Sequence, residues 1–294
     1  MLQDNQFTFV NPQTGKLAFK LCYFENENPF DQIQRLSYYS LIWVKHGTGK
    51  VKVDFSSYRV KENMLFSFSP YQPFKLTDET EISGITINFH PDFFCIHKHH
   101  KEVACNGVLF NNIYGPPFVH VDKKAKVNFQ MIISQFEAEM QKPDLAQNEL
   151  LFSYLKILLI SASRLKTEQQ FDFQKTKETS QEPFILQNLK NYIEAHYRTK
   201  HTASDYAAML SITPKALSHL TKAHFNKTIT DLISERIIIE AKRDLYLTNK
   251  TVKEIAYELG YNDEFYFSRF FKKNAEVSPQ LYRETVGFDR ASAS

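Results

Sequence analysis

TVKEIAYELGYNDEFYFSRFFKK, Thr251 to Lys273, is the stretch on which the fold of the C-terminal part turns. Thr251 followed by Glu254 has the spacing of a capping box, so a helix should begin there. Val252, Ile255, Ala256 and Leu259 then recur at i, i+3, i+4 and i+7, the stripe of a helix with one buried face. Gly260 supplies the left-handed conformation that ends a helix cheaply. Asp263 is a natural N-cap for a second helix, in which Phe267 and Phe271 lie four apart on the inner face. Glu264, Tyr266, Arg269 and Lys273 fall on the other face. The helix is aromatic on one side and basic on the other, and the question is what the basic side meets.

The same grammar occurs upstream in TASDYAAMLSITPKALSHLTKAHF, Thr202 to Phe225. Thr202 or Ser204 caps a short helix through Ala207 and Leu210. Thr213 and Pro214 then give an N-cap followed by proline at the first helical position. Leu217 and Leu220 are expected inside, with Lys215, Ser218, His219 and Lys222 outside. Two short helices joined by a tight turn, the second polar outside, form the helix-turn-helix that inserts a helix into the major groove. Between the two units, ITDLISERIIIEAKRDLYL (Ile229 to Leu247) contains neither glycine nor proline. A helix of about 18 residues spans roughly 27 Å. Major-groove faces one turn apart are separated by roughly 34 Å. With helix widths added, such a spacer suits two reading heads in adjacent grooves.

Charge and composition agree with this division. Of the net charge of +3, all lies from Pro183 onward, where sixteen basic residues oppose thirteen acidic ones; upstream there are twenty of each. That excess favours an anionic partner for the C-terminal third. Hydrophobic residues at 43% and aromatics at 14% suffice for packed cores in a chain of 294 residues, enough for two domains. No run of about 18 apolar residues suggests a membrane span. MLQDNQFTFV lacks the order of a signal peptide, and three scattered cysteines (Cys22, Cys95, Cys105) make no disulfide framework. A cytoplasmic protein is expected.

From about Phe184 to Arg283 the chain resembles the DNA-binding region of the AraC/XylS transcriptional regulators. The resemblance is carried by TVKEIAYELGYNDEFYFSRFFKK followed by VSPQLYR (Val277 to Arg283) and covers about 100 residues. It implies base-reading roles for Lys215, Ser218 and His219 in the first unit and for Glu264, Phe265 and Arg269 in the second. Arg269 suits bidentate contact with a guanine. Phe265 is read either as a contact to a thymine methyl or as a packed residue. Thr213, Lys222, Asn262, Lys272 and Lys273 are assigned to phosphates, which position a protein without reading sequence. The family's usual glycine before Val-Ser-Pro is Glu276 here. A local backbone difference without loss of function is expected at that helix end.

Residues 1–122 alternate as strands do. In GKVKVDF (Gly49 to Phe55), Val51, Val53 and Phe55 face one way and Lys50, Lys52 and Asp54 the other. LSYYSLIWV, MLFSFS and ISGITINF are further β-rich runs separated by turn signals, which suggests a small antiparallel barrel or sandwich. The family resemblance implies a cupin-like, effector-sensing barrel. Trp43, Phe66, Phe68, Tyr71 and Phe74, with Pro70 nearby, are the candidates for its pocket, although aromatic strand residues are more often core. Residues 123–165 read as two helices that pack on the barrel or pair two subunits, and the run ELLFSYLKILLI is too apolar for one exposed helix. The polar segment 166–183 reads as a linker, and 184–294 as the DNA-binding domain. The fold class is therefore multidomain: a mainly-β cupin-like barrel with two helices, then an all-α tandem helix-turn-helix.

Catalytic motifs are not evident, and no cofactor is expected. The strands carry no His-x-His pair, and Phe74 stands where a metal-binding cupin often has histidine. CIHKHH, with Cys105 beyond it, offers Cys95, His97, His99, His100 and Cys105 as metal ligands whose spacing fits no closed zinc motif. The expectation is a DNA-binding regulator with a small-molecule effector, a homodimer acting on promoter DNA, with RNA polymerase as a further partner and no membrane. A cupin-type metalloenzyme or metal/redox sensor with a DNA-binding tail, and a protein-interaction module, are the alternatives.

Overall fold

The computed structural model describes residues 6–11, 15–25, 27–54, 56–99, 107–142, 144–176 and 184–286. The chain divides into two compact units, Met1–Asn112 with Pro116–Phe171, and Ile113–Gly115 with Asp172–Ser294.

In the first unit, strands β1 (Gln6–Val10), β2 (Leu17–Phe24), β8 (Ser83–Phe89), β3 (Tyr39–His46), β6 (Met64–Phe68) and β9 (Phe118–His120) form one sheet in that order. Strands β5 (Ser56–Val60), β4 (Gly49–Val53) and β7 (Phe74–Asp78) form the second, and every named strand pair in both sheets is antiparallel. The alternation read from Gly49 to Val53 is present, with Val51 and Val53 buried and Lys50 and Lys52 exposed. Phe55 lies outside the described residues. Strand β6 is buried at all five positions because each of its faces meets a core. Met64, Phe66 and Phe68 join Val51, Val53, Phe74 and Leu76 in one core, while Leu65 belongs to another with Trp43 and Ile85. Such a strand reads as a continuous apolar run rather than an alternating one. Among the described residues the two sheets remain separate ladders and do not close into one hydrogen-bonded barrel.

Two helices complete the second core. Helix α1 (Lys123–Gln141) starts at Asp122, whose carboxylate accepts from the Ala125 amide at 2.7 Å, and buries Phe129, Ile132, Ile133 and Phe136. Helix α2 (Gln147–Thr176) buries Leu151, Leu155, Leu158, Leu159, Ala162 and Leu165 in that core. Burial within its own unit thus accounts for most of the apolar run. The helix does not stop at 165. It continues through 166–176, which the sequence reads as linker, because Lys, Thr, Glu and Gln are tolerated in a helix as in a coil. The rest of that segment, 177–183, lies outside the described residues.

The second unit is helical: α3 (Phe184–His196), α4 (Ala203–Met209), α5 (Pro214–Phe225), α6 (Ile229–Leu247), α7 (Val252–Glu258), α8 (Glu264–Ala275) and α9 (Pro279–Val286). The spacer α6 is its centre, with Ile229, Leu232, Ile233, Ile237, Ile238, Ala241 and Leu245 all buried. Burial so complete on one helix means that neighbours cover it on several sides.

Candidate nucleic-acid interface

Both helix-turn-helix units are set by caps. Thr202, rather than Ser204, caps α4 in a reciprocal box with Asp205. Thr251 and Glu254 form the same box on α7. Thr213 accepts from the Ala216 amide at 3.2 Å to start α5, with Pro214 in the first turn. Asp263 accepts from the Phe265 and Tyr266 amides at 2.7 and 3.1 Å to start α8. Gly260 lies at φ +82°, and a β-carbon there would stand 2.0 Å from the Arg198 carbonyl oxygen. Only glycine suits both the backbone and the space.

The inner faces then follow. In α8, Phe267, Phe271 and Ala275 are buried. In α5 the buried positions are Leu217 and Thr221, and Leu220, expected inside, is only half-buried. The Thr221 hydroxyl avoids an unmet polar group by donating to the Ser218 carbonyl at 3.2 Å.

The outer faces carry the expected contact residues. Lys215, His219 and Lys222 are exposed on α5, and Thr213 is exposed at its cap. Arg269, Lys272 and Lys273 are exposed on α8, with Asn262 in the turn before it. Ser218 and Glu264 are half-buried. Phe265 is 69% exposed and Tyr266 59%, so neither is a core residue. The aromatic content of α8 thus divides: Phe267 and Phe271 hold the helix, and Phe265 and Tyr266 stand on the surface it offers.

Glu276 ends α8 at φ +60°. Glutamate takes the left-handed conformation itself, because the turn between α8 and α9 requires it. Asn226 ends α5 in the same way at φ +56°.

Behind these surfaces lies an ionic network whose long-range pairs, Arg198 with Glu240 and Arg236 with Glu194, follow no sequence spacing. Glu240, 5% exposed on α6, accepts from Arg198, Arg236 and Arg243 at 2.9, 3.0 and 3.0 Å. The side chain of Arg236 bonds Glu194 of α3 at 2.8 Å as well, and its guanidinium covers the Tyr197 ring at 4.0 Å. Burial pushes the Glu240 carboxyl up, but the arginines outweigh it and hold it below the usual range. Arg283 from α9 donates to the carbonyls of Leu245 and Lys250 at 3.0 and 2.6 Å, satisfying acceptors at and beyond the end of α6. The arginine of the VSPQLYR run is therefore a clamp on the spacer.

The candidates in the first unit do not come together. Phe66, Phe68 and Phe74 share the core between the sheets, with Phe68 and Phe74 stacked at 3.9 Å. Trp43 is on the opposite face of the large sheet, edge-on to Phe129 of α1. Successive strand residues point to opposite faces, so Ile42 and Val44 join the phenylalanines and Trp43 cannot. Tyr71, with φ +53°, belongs to the turn before β7. The five expected pocket residues thus fill a core or lie outside it. Of the Cys/His group, Cys95 is buried and His99 packs against Phe94 and Phe152 at 5.1 and 5.4 Å. His100 and Cys105 lie outside the described residues. Among the described residues no cluster of three or more His, Cys, Asp or Glu side chains could hold a metal. No described helix is long and apolar enough to cross a membrane.

Comparison with known proteins bears on the same region. A helix-turn-helix domain family model matches residues 206–285. The chain is 40% identical over 84 residues to the HTH-type transcriptional activator Btr of Bacillus subtilis, a match covering 29% of this chain and 16% of that protein. It is 32% identical over 122 residues to an uncharacterized HTH-type transcriptional regulator in the cgkA 5' region of Pseudoalteromonas carrageenovora, covering 40% of this chain and 72% of that one. Among solved structures, the C-terminal domain of the response regulator yesN of Fusobacterium nucleatum is 30% identical, covering 33% of this chain and 95% of that chain with a TM-score of 0.32. The chain thus spans well under two thirds of the activator's length.

Proposed function

The chain belongs to the AraC/XylS family of transcriptional regulators, and from that premise we propose that its C-terminal unit reads double-stranded promoter DNA through α5 and α8. The carrying observation is that both helices, each twelve residues long, present exposed basic side chains from matching positions. His219, Lys215 and Ser218 read bases from the first, and Glu264, Phe265 and Arg269 from the second. Thr213, Lys222, Asn262, Lys272 and Lys273 hold phosphates. Two heads one helical turn apart imply a bipartite site of roughly 15 to 20 base pairs.

The first unit is read as an opened relative of the cupin-like barrel that receives a small effector. Its helices α1 and α2 lie side by side, joined by an Asn128–Ser161 hydrogen bond at 3.3 Å. They leave Val127, Met131 and Ile157 exposed. A second subunit docks on this face in the proposed homodimer. Action in the cytoplasm and contact with RNA polymerase complete the proposal.

Selection from random double-stranded DNA by the full-length protein tests it. Enrichment of two short blocks about ten base pairs apart is expected. Enrichment of a single block would leave only one reading head. A protein-interaction module would show no salt-dependent DNA binding at all, in the full chain or in residues 183–294.

A further inference from the structure

We propose that the first unit binds a small oxyanion with an apolar body, of the carboxylate class, where β2 and β3 meet α1, between Trp43, Lys45, Tyr23 and Lys126. This deepens the effector reading above and rests on it. Strand register builds the floor of the site. Tyr23 pairs with Ile85, and Ile85 pairs with Trp43, so the three side chains form a row on the helix-covered face of the large sheet. Trp43 is 2% exposed, and among the described residues its indole N–H has no hydrogen-bond acceptor. Buried donors are rarely left unmet, since an unpaired one destabilises the fold. Phe129 packs edge-on to the indole at 5.8 Å and helps fix the ring.

Lys45 stands two residues further along β3, with its Nζ 5.2 Å from the centre of the Trp43 ring and 5.7 Å from that of Tyr23. Burial first, and then Lys126 of α1, depress its affinity for a proton; the opposing pull of Glu137 and Glu25 is smaller. Glu137 is already engaged, accepting a short hydrogen bond from the Tyr23 hydroxyl. Glu25 is exposed just beyond β2.

This arrangement distinguishes between ligand classes. An oxyanion would pair with Lys45 and Lys126, relieve their mutual repulsion and accept from the Trp43 N–H. Its apolar body would lie against the aromatic rings. A cation would add a third positive charge and leave the indole donor unmet. A neutral alcohol would leave the two ammonium groups repelling each other. Convergent polar groups on an otherwise apolar wall are the usual make-up of a small-molecule site.

Trp43 is the single tryptophan of the chain, so its emission reports on the site directly. The full-length protein is titrated with hexanoate and phenylacetate, and in parallel with hexanol and hexylamine, by tryptophan emission and by calorimetry. Saturable binding of the two carboxylates is expected, about tenfold or more tighter than that of the alcohol or the amine. Lys45→Met and Lys126→Met should each weaken it by about tenfold or more. Lys50→Met, at an exposed lysine of the other sheet, should leave it unchanged. Circular dichroism of each variant establishes that it is folded. Equal binding of hexylamine, unchanged affinity in both site variants, or no saturable signal by either method would overturn the proposal. A protein that selects a DNA motif yet binds neither carboxylate would refute this site and leave the DNA-binding regulator standing.

Discussion

His219 and Arg269 occupy the same position, the sixth residue, on two exposed helices that each run for twelve residues. Their helices begin at Thr213 and Asp263 caps and end at the left-handed residues Asn226 and Glu276, so the correspondence holds from cap to cap. Equivalent positions should reach equivalent depths in successive grooves. Arg269→Ala is expected to lose about 1–3 kcal/mol of specific affinity and relax base choice at one position of one block. His219→Ala should relax one position of the other block. Binding of randomised sites to both variants checks this, and relaxation in the same block would break the two-headed reading.

Lys222 and Lys272 are a second matched pair, each exposed at the ninth helical residue. Their alanine variants should weaken binding evenly across DNA sequences. The slope of log affinity against log salt should become shallower by about one for each. An effect confined to one sequence would make the lysine a base reader.

Glu240 ties α6 to the arginines around it. Glu240→Gln leaves Arg236 without its buried partner and should cost about 2–4 kcal/mol, less than a wholly buried pair because Arg198 and Arg243 reach solvent. Its carboxyl is held low in the folded protein. The stability it supplies is therefore complete above the unfolded value of about 4.3 and lost as pH falls through the folded one. Denaturant unfolding of wild type and variant should converge in that acid range.

Lys166, 3% exposed on α2, donates to the Pro116 carbonyl at 2.8 Å, and burial holds its amine down at about 7. An unfolded lysine titrates near 10.4, so between these values the unfolded chain binds more protons. Stability should therefore rise from pH 7 towards pH 10, by at most about 1.4 kcal/mol per pH unit. Lys166→Met should flatten that rise. A rise of equal slope in the variant would assign it to other groups.

Glu276 carries a left-handed backbone at φ +60°. A side chain there costs roughly 1–2 kcal/mol, and glycine returns part of that gain through its freer unfolded state. Glu276→Gly is expected to raise the thermal midpoint of the second unit by a few degrees, for a net gain of about 0.5–1 kcal/mol. A lowered midpoint would mean that contacts of the glutamate outweigh the strain.

Local chemistry made much of the C-terminal unit legible. Caps at Thr202, Thr213, Thr251 and Asp263 act within three residues, as does the turn at Gly260, so the sequence alone located the starts of α5, α7 and α8 and most of the residues that face out. The choice of Thr202 over Ser204 and the half-burial of Leu220 came from the structure. The same locality placed β4, where one face is wet and the pattern alternates. The sequence also carried the family, because order and spacing survive in the chain itself.

Tertiary structure alone decided the rest. Glu240 and Arg236 are four apart on α6, at ordinary helical spacing, but Arg198 and Glu194 reach them from outside that helix and no spacing rule links those. Arg283 reads as one more basic residue until α9 sets it against the end of α6. Trp43 and Phe66 both look like pocket aromatics, yet the pleat sends them to opposite faces of the sheet. The row of Tyr23, Ile85 and Trp43 beneath Lys45 exists only because β2, β8 and β3 pair in register. Hydrogen bonds between neighbours in sequence are written in that sequence, whereas partners brought together by packing depend on every element between them.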